Sequence, residues 1–338
     1  MIELTEITDK LQFPEGPIAM DDGSVLVVEI KRGTLSRVNT NGSIDVIAEP
    51  GGGPNGAAIG PDDRCYICNN GGFEWREING MVLPGNQPAD YSGGRIEAID
   101  IKSGEVETLY SECNGHALRG PNDIVFDASG GFWFTDHGKN RPRDKDRTGV
   151  YYAQADGSHI DEVIFPLEAL NGIGLSPDEN MLYVAETPTG RLWAFYIESP
   201  GKLTGARKMM AQIPNYHMFD SLAVDADGGI CVATLITGGI TIHSADGLNT
   251  EFVPMPDILT TNICFGGNEL NTAYITLSSS GKLVSAVFVG YISARAKGEP
   301  QHLCSQFHDH RRHNGLMQNQ SRPMYLDIAH VAGSHCHQ

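Results

Sequence analysis

Residues 170–187 read LNGIGLSPDENMLYVAET. A polar residue opens the phrase, a short apolar run follows, an Asp-rich turn interrupts it, and a second run is rich in β-branched and aromatic residues. That is the pattern of two strands joined by a turn. The same phrase returns five times: PEGPIAMDDGSVLVVEI from Pro14, PNGAAIGPDDRCYICNN from Pro54, PNDIVFDASGGFWFTDH from Pro121, FDSLAVDADGGICVATL from Phe219 and, more weakly, TNICFGGNELNTAYITL from Thr261. Glycine supplies the positive φ of the turns, and Asp or Asn caps them.

The opening polar residues fall at positions 15, 55, 122, 171, 220 and 262, at intervals of 40, 67, 49, 49 and 42. A four-stranded propeller blade takes roughly 40–50 residues. Six such units predict an all-β, six-bladed β-propeller with its site in the central channel. Radial repetition leaves only short, protected strand edges. The long interval holds a Gly/Pro/Asn-rich stretch, Phe73 to Gly94, read as a loop inserted in blade two and as the element that sets specificity. GTLSRVN, GGRIEAIDI, GVYYAQA and RLWAFYI read as outer strands, and Ile2 to Ile7 as a strand that helps close the ring. No amphipathic helix of useful length is visible.

Equivalent positions of different blades converge on the axis of a propeller. Here they are Glu15, Asn55, Asn122, Asn171, Asp220 and Asn262, all carboxylates or carboxamides. One such residue is adequately explained as a turn cap. Six in register, two of them acids, point to a hard divalent cation, because calcium takes roughly 6–8 oxygen ligands of these types. The absence of His and Cys from these positions disfavours zinc and copper.

On these residues the chain resembles the regucalcin (senescence marker protein)/gluconolactonase family, which includes bacterial lactonases and is related in fold to diisopropylfluorophosphatase. The matching motifs are PEGP at Glu15, PND at Asn122, LNGIGLSPDE-LYVAET at Asn171 and FDSLAVDADG at Asp220, within a resemblance over residues 10 to 285. The resemblance implies one catalytic divalent ion at the hub, with Glu15, Asn122, Asn171 and Asp220 as its ligands. Asn122 matches a residue that is a ligand in some members and a substrate contact in others. Calcium is expected, and magnesium, manganese and zinc occupy such sites in relatives. The resemblance further implies Asp220 as base or nucleophile with Glu15 assisting, and Asn122, Asn55 and Asp123 against the substrate. An Arg just ahead of the blade-three Asn contacts substrate in some members; here Gly120 and Pro121 separate Arg119 from Asn122.

The expected function is hydrolysis of a small sugar or aliphatic lactone. The alternatives are a phosphotriesterase or other esterase at the same site, and a non-catalytic calcium-binding or interaction propeller. No GxSxG nucleophile elbow competes with these readings. His116 and His137 lie in loops that can reach the channel mouth and His217 just before Asp220, though a solvated loop histidine is the plainer reading of each. Phe73, Trp75 and Trp133 are candidate pocket walls, though aromatics in strands usually belong to the core.

The net charge of −18 argues against nucleic acid and against anionic membranes. No signal peptide and no membrane-length apolar run is visible, so the expected location is cytoplasmic. The seven cysteines are an odd number and scattered. Cys65 and Cys68 form a CxxC inside a strand-like run and are read as core thiols. Residues 1–290 are expected to form the propeller. Residues 291–338 read as an atypical His-rich extension carrying Cys304, His308, His310 and His313.

Overall fold

The computed structural model describes residues 2–212, 217–267 and 269–288, and the regular secondary structure among them is entirely β-strand. The His-rich extension, residues 291–338 with Cys304, His308, His310 and His313, lies outside the described residues. Six four-stranded antiparallel sheets follow one another, each opening with one of the predicted phrases. The six first strands are Pro14–Ala19, Pro54–Ile59, Pro121–Phe126, Leu170–Leu175, Met218–Val224 and Thr260–Gly266. They define blades 1 to 6 of a β-propeller.

Blades 1, 3, 4 and 5 use their four strands in chain order. Blade 6 has only three strands of its own after Thr260, and its fourth is Thr5–Thr8 from the other end of the chain. That strand pairs antiparallel with Lys282–Val287, Thr5 facing Ser285. The closing strand expected near the N-terminus is therefore present, shifted slightly toward Thr8. Blade 2 is interrupted between Cys65–Asn69 and Arg95–Ile99. The insertion expected there is more than a loop, since Trp75–Ile78 and Met81–Pro84 form a hairpin.

The segments read as outer strands are third strands. Thr34–Val38, Arg95–Ile99, Thr148–Gln154 and Arg191–Ser199 each lie between a second strand and a fourth. In the first three, nearly every residue is buried, because both sheet faces pack on neighbouring blades. The outermost strands, such as Ile44–Ala48 and Thr250–Pro254, are largely exposed.

Six apolar clusters fill the six interfaces between blades. One joins Leu26, Val28 and Leu35 of blade 1 to Cys65, Ile67 and Ile99 of blade 2. The next is aromatic, with Tyr66 of blade 2 against Phe132, Phe134 and Tyr151 of blade 3. Trp133 is fully buried with Tyr152, Leu182 and Phe195 between blades 3 and 4. It is a core residue, as its place in a strand favours, and not a pocket wall. At the seam, Val25, Val27 and Val38 of blade 1 meet Leu283 of blade 6. Cys65 and Cys68 are free, buried thiols within these cores, and burial pushes Cys65 up to about 12.

The turn chemistry explains why Asp recurs between the paired runs. In blades 1, 3 and 5 the carboxylates of Asp22, Asp127 and Asp225 accept the backbone N–H two residues on, at 3.0, 2.9 and 2.9 Å. These acids are occupied by turn formation, which sets them apart from Glu15 and Asp220 at the start of blades 1 and 5.

Candidate metal centre

Each hub residue occupies the second or third position of its blade's first strand. At every one of the six positions the pairing with the second strand shifts register, as between Glu15 and Ile18, Pro121 and Ile124, or Phe219 and Leu222. A bulge re-aims a side chain out of the regular alternation. It leaves Asn55, Asn122, Asn171 and Asp220 without a partner in the second strand, while Glu15 and Asn262, at the edge of the irregularity, still face Val28 and Thr276.

The inner strands also approach one another closely. A Cβ on Gly56 would lie 2.4 Å from the Asn122 carbonyl oxygen, and one on Gly172 would lie 2.7 Å from that of Asp220. Gly16, at φ +49, is likewise 2.7 Å from the Asn55 carbonyl oxygen by the same measure. The glycine after the hub residue in PEG, PNG and LNG is thus what permits adjacent inner strands to close in.

All six hub side chains are buried, as is Asp123. Asn262 Nδ2 donates to Glu15 Oε2 at 2.7 Å, and the Gly16 N–H donates to the same oxygen at 2.9 Å. Asn171 bonds the Asp220 carboxyl, and Ser221 Oγ lies 3.4 Å from Asn171 Oδ1. Thr135 bridges blades 3 and 4, accepting from Asp123 N and donating to the Asn171 carbonyl.

The electrostatics is that of acids crowded together out of water. Burial, opposed by its hydrogen bonds, pushes Glu15 up to about 7. Burial and the Glu15 charge push Asp123 up to about 8. Burial, then the charges of Glu15 and Asp123, hold Asp220 well above the ordinary carboxylate range. Each acid resists ionising first because it is buried, and the two aspartates further because the Glu15 charge is near. Asn122 Oδ1 is buried and accepts no hydrogen bond. An orphaned acceptor beside buried carboxyls is what a cation would satisfy, so the residues present fit a divalent ion. No three His, Cys, Asp or Glu side chains cluster to hold a metal among the described residues, so the candidate donors are two acids and carboxamide oxygens.

Because first strands leave the hub end and the sheets are antiparallel, the loops between second and third strands surround that same end. So do the links between blades. His116, His137 and His217 all lie on this face. His137 Nδ1 is 3.1 Å from the Leu170 carbonyl, and burial lowers its ring to about 4. His217 contacts Thr237, and His116 is exposed in a small ribbon with Cys113. Arg119 is exposed and uses its backbone N–H on Asp136.

The insertion of blade 2 crosses this face as a roof. Trp75 packs on Phe13 at 5.0 Å between ring centroids, and Phe13 holds the strained φ of 57° for a non-glycine residue. Phe73, Trp75, Val82 and Leu83 join Phe13, Ile30, Leu235 and Leu259 in a seventh apolar cluster. Val82 N–H donates to the Ser279 carbonyl of blade 6 at 3.0 Å, and Lys31 pairs with Glu77 at 2.9 Å. A cavity of about 130 Å³ lies under the hairpin tip at the seam, between Phe13, Val82 and Ser279. Sequence reading found Phe73 and Trp75 but not the crossing from blade 2 to blade 6, which no local pattern encodes.

The family model described as SMP-30/Gluconolactonase/LRE-like region matches residues 13–279. A protein named lactonase drp35 from Staphylococcus haemolyticus is 29% identical over 257 residues, 74% of this chain and 72% of its own. Diisopropyl-fluorophosphatase of Loligo vulgaris is 25% identical over 266 residues, 72% of this chain and 78% of its own. Among solved structures, a gluconolactonase from Xanthomonas campestris superposes with a TM-score of 0.69 at 23% identity, covering 85% of this chain and 89% of that one.

Proposed function

Because this chain belongs to the SMP-30/gluconolactonase family, we propose that it is a divalent-metal-dependent hydrolase that opens a small lactone. The observation that carries the reading is the buried hub, where burial raises the proton affinity of Glu15, Asp123 and Asp220, the Glu15 charge adds to it at the two aspartates, and Asn122 Oδ1 stands unpartnered.

Glu15, Asn122, Asn171 and Asp220 would hold the ion, calcium first among the choices for an all-oxygen set. Bound there, it supplies Lewis acidity toward the lactone carbonyl. Glu15 is held in place by Asn262 and Gly16. Asp220 takes a proton from the water whose oxygen attacks the carbonyl carbon. As the ring C–O bond breaks, that proton passes to the departing oxygen, giving the hydroxy acid. The Asn122 and Asn55 side chains and Asp123 face the substrate. The burial of the hub side chains strengthens each of these interactions.

Similarity to the squid protein named a fluorophosphatase favours a second reading, hydrolysis of an activated phosphoester at the same residues. One assay separates them. Chelator-stripped protein is supplied with calcium, magnesium, manganese or zinc and offered sugar lactones, aliphatic lactones and phosphotriesters. Metal-restored lactone opening supports the first reading. Phosphotriester turnover without lactone turnover supports the second. A folded, metal-loaded protein inactive on both would turn the assignment toward a binding role.

A further inference from the structure

Outside the hub, one buried cation stands out. Lys139 follows the second strand of blade 3 and is 2% exposed. Its Nζ donates to Asn70 Oδ1 at 2.9 Å and to the Gly72 carbonyl at 2.7 Å, and it sits 3.8 Å from the centroid of the Phe73 ring. Asn70 is also 2% exposed and lies one residue past the second strand of blade 2. Its backbone N–H donates to Gly53, and its side chain lies so close over Gly53 that a Cβ there would meet Oδ1 at 2.3 Å. Gly53 is two residues ahead of the hub residue Asn55.

The orientation of this amide is fixed by chemistry. An ammonium has no acceptor, and the Gly72 N–H also donates to Asn70 Oδ1, at 2.9 Å. Turning the amide over would set its NH₂ against two donors. The NH₂ must therefore occupy the other side, and there Nδ2 is buried with no partner. A buried, unsatisfied donor in a native fold calls for an explanation. Lys139 itself is not spare, since two oxygens and an aromatic face surround it, with Asp136 and Asp146 as the nearby opposite charges.

We propose that Asn70 presents its side-chain NH₂ to an oxygen of the lactone, and that Lys139 is the positioning residue that holds the amide in that sense. The proposal rests on the lactone-hydrolase reading and adds to it a substrate donor outside the hub. A neutral donor that is already oriented suits an oxygen gaining negative charge as water adds.

The test is Asn70→Asp, compared with wild type in the calcium-loaded enzyme. Aspartate keeps an oxygen on Lys139 and strengthens that contact, but replaces the free donor by an acceptor. The expected result is a kcat/KM on the best lactone lower by roughly 100-fold, the scale of losing one aimed donor, with Tm and the calcium-induced rise in Tm unchanged. Should Asn70→Asp misfold, Asn70→Ser is read instead, with the same loss expected. Lys139→Met is expected to raise KM, and to add little further loss in the Asn70→Asp background, because it acts through Asn70. Wild-type kcat/KM in a folded Asn70 variant overturns the proposal and leaves the hydrolase reading standing. A wild-type enzyme that opens no lactone overturns both.

Discussion

Glu15 and Asn262 are separated by 247 residues of chain and joined by a 2.7 Å hydrogen bond, Nδ2 to Oε2. The bond crosses the seam where blade 1 meets blade 6. Ser278 Oγ, also in blade 6, donates to the Pro14 carbonyl at 2.5 Å. The ring thus closes twice, on the outside through Thr5–Thr8 and on the inside through a candidate metal ligand. Asn262→Leu removes a donor from a buried carboxylate and is expected to cost about 2 kcal/mol. Denaturant unfolding measures that loss, and calcium titration should show weaker binding because Glu15 is no longer held.

Asp220→Asn tests the chemistry apart from the fold. A general base contributes roughly 10²–10⁴ in rate, so kcat should fall by at least about 100-fold. Metal-free Asp220→Asn should melt at or above the wild-type temperature, because a buried acid facing the Glu15 charge gives way to a neutral amide. A variant that keeps full kcat would remove Asp220 from the mechanism.

Calcium should stabilise the protein as any ligand of the native state does. At a concentration 100 times its dissociation constant the gain is about 2.7 kcal/mol. Differential scanning calorimetry with calcium and then with chelator should show Tm rising and returning. Glu15→Gln should abolish most of the rise.

His243 gives the acid side of the stability profile. It is fully buried in blade 5, Nδ1 lies 3.0 Å from Thr250 Oγ1, Nε2 has no partner, and burial lowers its ring to about 4. Its folded value lies below its unfolded value of about 6.5, so the unfolded chain takes up protons first. The contribution of the neutral ring is complete above pH 6.5 and is lost as pH falls toward 4. At pH 5 the expected loss is about 2 kcal/mol. His243→Gln should flatten the fall in urea midpoint between pH 6.5 and 5, and an unchanged slope would assign it to other groups.

Gly56→Ala places a methyl 2.4 Å from the Asn122 carbonyl oxygen and 2.6 Å from the Asp123 Cα. Neither contact is with a flexible side-chain end, so blade 3 must move away from blade 2. Overpacking of this kind costs roughly 1–3 kcal/mol. Activity should fall more steeply than stability, since the displaced strand carries Asn122 and Asp123. Paired Tm and kcat/KM measurements check this.

Much of this was legible in the residues. The six phrases give the blade count because each hairpin carries its own turn chemistry, and Glu15, Asn55, Asn122, Asn171, Asp220 and Asn262 come into register from spacing alone. Whatever depends on the third dimension did not follow. Trp133 sits in a strand next to a hub motif, where its place in the core is favoured by residue type, but which blade covers it is not. The bulge at each hub residue is a pairing irregularity with no residue type of its own. Asn70 and Lys139 lie 69 positions apart, in two loops whose meeting depends on how adjacent blades pack.

The glycines behind the hub residues carry a further consequence. Gly16, Gly56 and Gly172 set how near three pairs of inner strands can come, so the aperture of the ring is fixed by missing methyl groups more than by the donor side chains. Selection between calcium and magnesium turns on cavity size and on how rigidly the oxygens are held. A shift in ionic-radius preference is therefore to be sought first in backbone spacing, by widening or relaxing those contacts, with every oxygen donor left as it is.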